Sequence, residues 1–208
     1  MLTQLSCRDF AAILAAKKSV PGGGGAAALV SALGTALNTM VANFSIGKKK
    51  FINNKEQHED LIKRGTELRE KLVNLVDKDA ECFEPLSKAY SMPSSTQEEK
   101  DKKEEVMQKC LKNACSAPMK TLFNTYDAIM LHKEIQDISS KNIISDVGVG
   151  VQFLKAGLNS AYLNVLINLN SITDEKYVLE QKQKAEKLLS EGIKTADEVY
   201  DKVVKILS

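Results

Sequence analysis

Along this chain apolar residues recur at intervals of three and four and seldom alternate with polar ones, a pattern that predicts helices and almost no strand. The first helix is expected from Ser6, a natural N-cap, to Lys17 or Lys18, with Phe10, Ile13 and Leu14 on one face. "VPGGGG" interrupts it, and a second helix is expected from near Gly25 to Ile46 in alanine-rich sequence that propagates helix well. From Asn54 to Tyr90, Leu61, Leu68, Leu72, Leu75, Val76, Phe83 and Leu86 mark an amphipathic helix with a kink at Pro85. Ser95 followed by Glu98 has capping-box spacing, and the helix it opens should bend near Pro118 and end at Ile135. Val147 to Leu169 makes a second nearly uncharged helix. The last begins in "SITDEKY", its stripe running through Leu179, Leu188, Leu189, Ile193, Ala196, Val199, Tyr200, Val203 and Leu207.

Together these elements predict an all-α protein, a helical bundle with two uncharged core helices and amphipathic outer helices, organised as a single domain over residues 1–208. Uncharged Ala/Gly/Ser faces need more cover than one small bundle provides, so a homo-oligomer is expected.

Composition narrows the function classes. A chain that is 43% hydrophobic and 27% charged has the balance of a folded soluble protein, and a net charge of +2 gives no field that implies nucleic acid or an anionic membrane. Cys7, Cys82, Cys110 and Cys115 form no CxxC pair, so neither zinc nor a disulfide framework is indicated and no metal site is expected. The N-terminus lacks the layout of a signal peptide, which makes the cytoplasm the expected location. The uncharged run from Lys18 to Lys48 is long enough to span a bilayer. Its Ser31, Thr35, Asn38, Thr39, Asn43 and Ser45 would be costly against lipid, however, so a buried core helix and no membrane partner are expected.

Candidate chemistry begins with Pro21, Gly22, Gly23, Gly24 and Gly25. A glycine-rich turn opening a helix presents backbone N–H groups at the positive end of the dipole, suited to a carboxylate or phosphate. A turn for tight helix packing is the alternative. In "NLVDKDAECFEPL", Asp77 and Asp79 lie about 200° apart on a helix and cannot share a face. Asp79 falls on the apolar stripe and Asp77 on the solvated side. A carboxylate on that stripe is either a structural cap or an acid raised by desolvation into a useful range. Ser31, Thr35 and Asn38 form one polar strip, and Asn164 and Asn168 another, either bonding helix to helix or converging on a heterocycle. Lys48, Lys49 and Lys50 end the second helix, capping it or receiving an anionic tail. His58 and His132 have no visible role.

The stretches "VPGGGGAAALVSALGTALNTMVANFSIGKKKF", "LVDKDAECFEPL", "IISDVGVGV" and "AYLNVLINLNSITDE" resemble, in order and over nearly the whole chain, the cyclodeaminase/cyclohydrolase family of folate enzymes. The resemblance implies an all-helical homodimer acting on the one-carbon unit of tetrahydrofolate, with a tetrahydrofolate derivative as substrate and no tightly bound cofactor. It implies Asp79 as the acid/base, the glycine loop as the pocket mouth, and Asp146, Asn164 and Asn168 as pocket residues. Gly25 departs from the family's usual PGGGS by losing a hydroxyl. Two reactions follow from the family. Formimidoyltetrahydrofolate cyclodeaminase closes 5-formimidoyltetrahydrofolate to 5,10-methenyltetrahydrofolate and ammonia, and "LINLNSITDE" and "PSSTQEEKD" favour it. Methenyltetrahydrofolate cyclohydrolase, the alternative, opens the methenyl compound to 10-formyltetrahydrofolate. A formiminotransferase on another chain is the expected partner activity for the first. A non-catalytic helical module that binds folate or serves in assembly is the alternative from a different class.

Overall fold

The computed structural model describes all 208 residues. As the periodicity predicts, it is helical with no strand: α1 (Cys7–Leu14), α2 (Gly23–Ser45), α3 (Lys55–Tyr90), α4 (Gln97–Ile135), α5 (Ile144–Leu169) and α6 (Glu175–Leu207). Short 3-10 turns at Leu2–Gln4, Lys49–Asn54 and Lys141–Ile143 complete the chain. α2 packs between α3 and α5, α4 closes the ring from below, and α6 lies over α4 and α5. Leu72, Leu86, Leu122, Ile129, Leu154 and Leu158 are fully buried in the core.

The two uncharged helices are antiparallel neighbours and approach too closely for side chains at the crossing. A Cβ on Gly34 would stand 2.7 Å from Leu154 Cγ and 2.8 Å from the Gly150 carbonyl oxygen, distances that no real Cβ tolerates. By length and composition α2 is apolar enough to cross a membrane, yet Ser31, Thr35 and Asn38 sit fully buried inside the bundle, as the polar load of this helix requires.

Several boundaries move from their expected places. Ser6 caps α1 by accepting from the Asp9 N–H, but the helix ends at Leu14 and buries only Phe10. α2 starts at Gly23 with Gly22 as N-cap, so the glycines form its first turn. It stops at Ser45, and Gly47, with φ of 77°, takes the left-handed position of the turn that the Lys48 N–H closes onto the Ser45 carbonyl oxygen, so the lysines come after the helix end. The capping box of α4 is Thr96 with Glu99, one residue later than expected. "SSTQEE" offers overlapping boxes, and Glu99 accepts from the Ser95 and Thr96 N–H groups at 2.8 and 3.0 Å. Pro85 and Pro118 lie inside α3 and α4. α5 begins at Ile144, three residues early, because Ile144 itself is buried. On α6 the buried seam is Ala185, Gly192, Thr195, Ala196, Val199 and Val203, whereas the expected Leu179, Tyr200 and Leu207 are exposed. Small residues set that seam, since Gly192 lies against Leu158.

His132 of α4 is fully buried, its Nδ1 3.1 Å from the Ala128 carbonyl oxygen. Burial disfavours the imidazolium and pushes its pKa from the ordinary 6.5 down to about 4, against a smaller opposing effect of that carbonyl. The unfolded chain takes up this proton near 6.5 and the folded chain only near 4, so stability falls as pH drops through that window. Urea unfolding of the wild type and His132→Gln between pH 7 and 4 should therefore show the wild-type advantage shrinking as the pH falls.

Candidate active site

The glycine turn and the acid on the apolar stripe meet. Gly22, Gly23 and Gly24, at the start of α2, line a cavity of about 240 Å³ with Asp79 of α3 and Asn164 and Asn168 of α5. Phe83 and Tyr90 extend the α3 wall at four and eleven residues beyond Asp79, and Pro118 and Ile167 complete it. Phe83 was visible as part of the α3 stripe; Tyr90, Pro118 and Ile167 carried no signal of their own. Their place depends on which helices meet there.

Asp79 packs against the backbone of the first turn of α2. A Cβ on Gly24 would come within 2.5 Å of Asp79 Cγ, so only glycine lets the carboxylate lie this close. Burial raises the pKa of Asp79 above the ordinary carboxylate value, and the Gly25 backbone N–H offsets part of that rise by favouring the charged form. The free N–H groups of a helix start add a positive potential at the same spot. Burial is the larger effect, so the net shift of Asp79 is upward.

The asparagines contribute acceptors. Asn164 and Asn168 each give one amide N–H to the carbonyl four residues back, at 2.8 Å, leaving the side-chain oxygen and a second N–H for a ligand. Pro118 has no N–H, so the Ala114 carbonyl, also at the cavity wall, lacks its helical donor. No lysine or arginine lines the cavity.

Other expected site residues do not line the cavity. Pro21 and Gly25 are buried behind the loop, Gly25 reaching the site only through its N–H to Asp79, and the Val20–Pro21 bond is cis. A Cβ at Gly25 would meet nothing closer than the Val76 carbonyl oxygen at 3.4 Å, so the serine of the family pattern would fit. Asn38 is on the inner strip of α2, where Ser31 accepts from Thr125 at 2.9 Å and Thr35 donates to the Ser31 carbonyl oxygen. Its amide is fully buried without a partner and does not reach the cavity. Asp146, in the first turn of α5, lies about 27 Å along that helix from Asn164. Lys48 follows α2 at the same far end, exposed, and none of Lys48, Lys49 or Lys50 forms an ion pair. Asp77 is not free in solvent as expected. It accepts from the Leu2 N–H and the Thr3 hydroxyl, fastening the N-terminus to α3. Burial alone would raise its pKa, and these hydrogen bonds outweigh that and hold it below the usual range.

Comparison with known proteins finds relatives over nearly the whole chain. The family model for formiminotransferase-cyclodeaminase matches residues 6–187. A methenyltetrahydrofolate cyclohydrolase of Methylorubrum extorquens is 35% identical over 91% of each chain. A formimidoyltransferase-cyclodeaminase of Rattus norvegicus is 32% identical over 92% of this chain, which spans only 35% of that longer relative. A crystal structure of formiminotetrahydrofolate cyclodeaminase from Thermotoga maritima superposes with a TM-score of 0.84, at 30% identity over 98% of this chain and 100% of the other.

Two substitutions test the geometry. Asp79→Asn removes an acid whose folded pKa is raised, and such a group costs stability once pH exceeds its unfolded value. The variant should therefore melt higher than wild type at pH 7, with the gain vanishing in acid near pH 3. Gly24→Ala should displace the Asp79 carboxylate and lower stability, and in the Asp79→Ala background the same change should cost much less. Thermal melts of the four-membered mutant cycle read the difference.

Proposed function

The chain belongs to the formiminotransferase-cyclodeaminase family of folate one-carbon enzymes, and from that premise we propose that its cavity holds the carbon bridging N5 and N10 of tetrahydrofolate, with Asp79 as the acid and base. The observation that carries this proposal is the half-buried Asp79 lodged against the first turn of α2 in a cavity without cations. 5,10-Methenyltetrahydrofolate bears a positive charge over its bridge. An ionised carboxylate without a competing lysine or arginine is the counterpart such a cation needs.

The cyclohydrolase direction is placed first, supported by the similarity to a cyclohydrolase of nearly the same length. Water adds to the methenyl carbon as Asp79 takes its proton. The N5–carbon bond then breaks as Asp79 returns that proton to N5, and the remaining hydroxyl proton leaves to solvent as the carbonyl forms, giving 10-formyltetrahydrofolate. One carboxyl serves as base and then acid, and a pKa raised by burial suits both tasks. Asn164, Asn168 and the Ala114 carbonyl orient the ring by accepting from its N–H groups. Similarity to the Thermotoga structure supports a second direction, cyclodeaminase. There N10 attacks the formimidoyl carbon, its proton passes to Asp79, and Asp79 protonates the departing nitrogen as ammonia. Neither direction requires a metal or a tightly bound cofactor. The enzyme is proposed to work in the cytoplasm as a homodimer, and in the second direction to take its substrate from a formiminotransferase on another chain.

Absorbance at the methenyltetrahydrofolate band tests the proposal with purified protein. An accelerated fall on supplying the methenyl compound establishes cyclohydrolase. A rise with ammonia release on supplying 5-formimidoyltetrahydrofolate establishes cyclodeaminase. No change above the uncatalysed rate in either overturns the enzyme assignment in favour of a binding module. Asp79→Asn should lower the observed rate by about 10²- to 10⁴-fold while folate still binds.

A further inference from the structure

The cavity encloses the reacting end of a folate and leaves the other end outside. At about 240 Å³ it falls below the roughly 300–1,000 Å³ of a complete small-molecule site, so a folate whose bridge lies at Asp79 extends past the rim. The part outside is the tail. Ordinary bond lengths put the first carboxylate of its glutamate roughly 9 Å from N10, across the benzoyl ring and the amide. Both carboxylates are ionised at neutral pH, and the cavity wall holds no cation to meet them.

Four of the lining residues are exposed and mark the rim: Ser19 before α2, Gly23 in its first turn, Tyr90 at the end of α3 and Ile167 near the end of α5. Nothing charged lies within two residues of Gly23 or Ile167. Beside Tyr90 stands Lys88, which pairs with Glu84 at 2.7 Å. Lys103 reaches Tyr90 from α4 but donates to the Tyr90 and Met92 carbonyl oxygens at 2.9 and 3.0 Å. Ser19 differs. It follows Lys17 and Lys18, both exposed and neither in an ion pair. The segment that carries them is fastened on either side. Leu2 and Thr3 donate to Asp77, Phe10 is buried among Ala28, Leu72 and Val76, and Pro21 is buried where α2 begins. Between these anchors the Ala16 N–H donates to the Ile13 carbonyl oxygen at 3.1 Å and the Lys18 N–H to the Ala16 carbonyl oxygen at 2.8 Å, a tight turn that fixes where the lysines start. Consecutive Cα atoms are about 3.8 Å apart, so Lys18 and Lys17 begin about 4 Å and at most about 8 Å from the rim. Their flexible four-carbon stems let each ammonium sweep the space just beyond it. The acids of the adjoining turns of α3 do not compete, because Asp77 holds Leu2 and Thr3, Glu81 pairs with Lys78, and Glu84 with Lys88.

We propose that Lys17 and Lys18 bind the glutamate carboxylates of the folate and so select substrates that carry this tail, an assignment that rests on the folate proposal above. It gives to the segment before α2 the anionic-tail role that the sequence suggests for Lys48, Lys49 and Lys50, which about 34 Å of helix separates from the cavity. The ligand is then divided between two stations. Asp79 and the asparagines hold the bridge and the ring, and the lysines hold the tail. Ammonium groups at the tail attract the anion equally before and during the reaction, since they lie far from the carbon that reacts. They therefore act on KM and leave kcat unchanged.

Titration calorimetry tests the lysines without any turnover, using 5-formyltetrahydrofolate and its diamide, in which both glutamate carboxylates are neutral. The double variant Lys17→Ala/Lys18→Ala alters only exposed positions. It should bind the folate about five- to tenfold more weakly than wild type and the diamide equally well, and Lys17→Arg/Lys18→Arg should bind both like wild type. Equal binding of the folate by wild type and the alanine variant overturns the assignment. So does an equal loss for both ligands, or a wild type that binds neither. In steady-state turnover of 5,10-methenyltetrahydrofolate the alanine variant should show KM raised by the same factor at unchanged kcat, and added KCl should raise KM in wild type more than in the variant. A lowered kcat at unchanged KM contradicts the tail role. A wild type that shows the charge-dependent difference in binding yet turns over neither proposed substrate contradicts the proposed function and leaves the lysine site standing.

Discussion

The architecture depends on one contact in which neither helix tolerates a side chain. α2 and α5 cross with Gly34 against the Gly150 carbonyl and Leu154, and a methyl group there would force the helices apart. Everything at the functional end follows from that closeness. With α5 tight against α2, Gly23 lies 3.5 Å, measured to its missing Cβ, from the Asn164 amide, so the start of one helix and the end of the other form two walls of a single cavity. α3 supplies the third wall and the acid. With a looser pair the amides and the glycine turn would no longer line one cavity.

The same glycines explain the state of Asp79. A side chain at Gly24 would occupy the place of the carboxylate, and the backbone it leaves bare is the start of a helix, where N–H groups are free. Closeness therefore does two opposed things: it desolvates the acid and it gives the charged form a donor at Gly25. Burial without the helix start would favour the protonated carboxyl more strongly. A helix start without burial would leave an ordinary anion. The acid/base role proposed for Asp79 draws on both influences.

Much of this was legible because it is local. The stripe of α3 places Asp79 inward and Phe83 beside it by helix geometry alone, and Asn164 and Asn168 share a face for the same reason. What required the fold is the level at which helices meet. Asn38 has the composition of a ligand contact, yet its strip faces α4 through Thr125. Asp146 and Lys48 sit in stretches that resemble the family as well as the glycine loop does, and only the antiparallel run of α2 and α5 carries them to the other end. On α6 the apolar residues outnumber the positions the bundle buries, so periodicity selected the large Leu179 and Leu207 where packing selected Ala185 and Gly192. The overlapping boxes in "SSTQEE" differ only in which backbone N–H groups a glutamate reaches, which sequence spacing does not decide.

The distribution of charge shows how differently the helices meet their surroundings. Arg64 of α3 pairs with Glu134 of α4 at 2.8 Å, and Lys112 of α4 with Asp174 at the start of α6 at 2.6 Å. Such exposed pairs add little, since water screens them, so their consistent presence marks surfaces that face water more than it stabilises them. α2 holds no charge over 23 residues, although its outer side bears half of its turns. A helix solvated on one side acquires charge there, as α3 and α6 do, whereas one covered on both sides has no position at which a charge is tolerable. Its inner side is filled with Ala, Gly, Ser and Thr for close packing, and its outer side with Leu, Met and Phe. Two apolar stripes of different size run along one helix, and the bundle covers only the first.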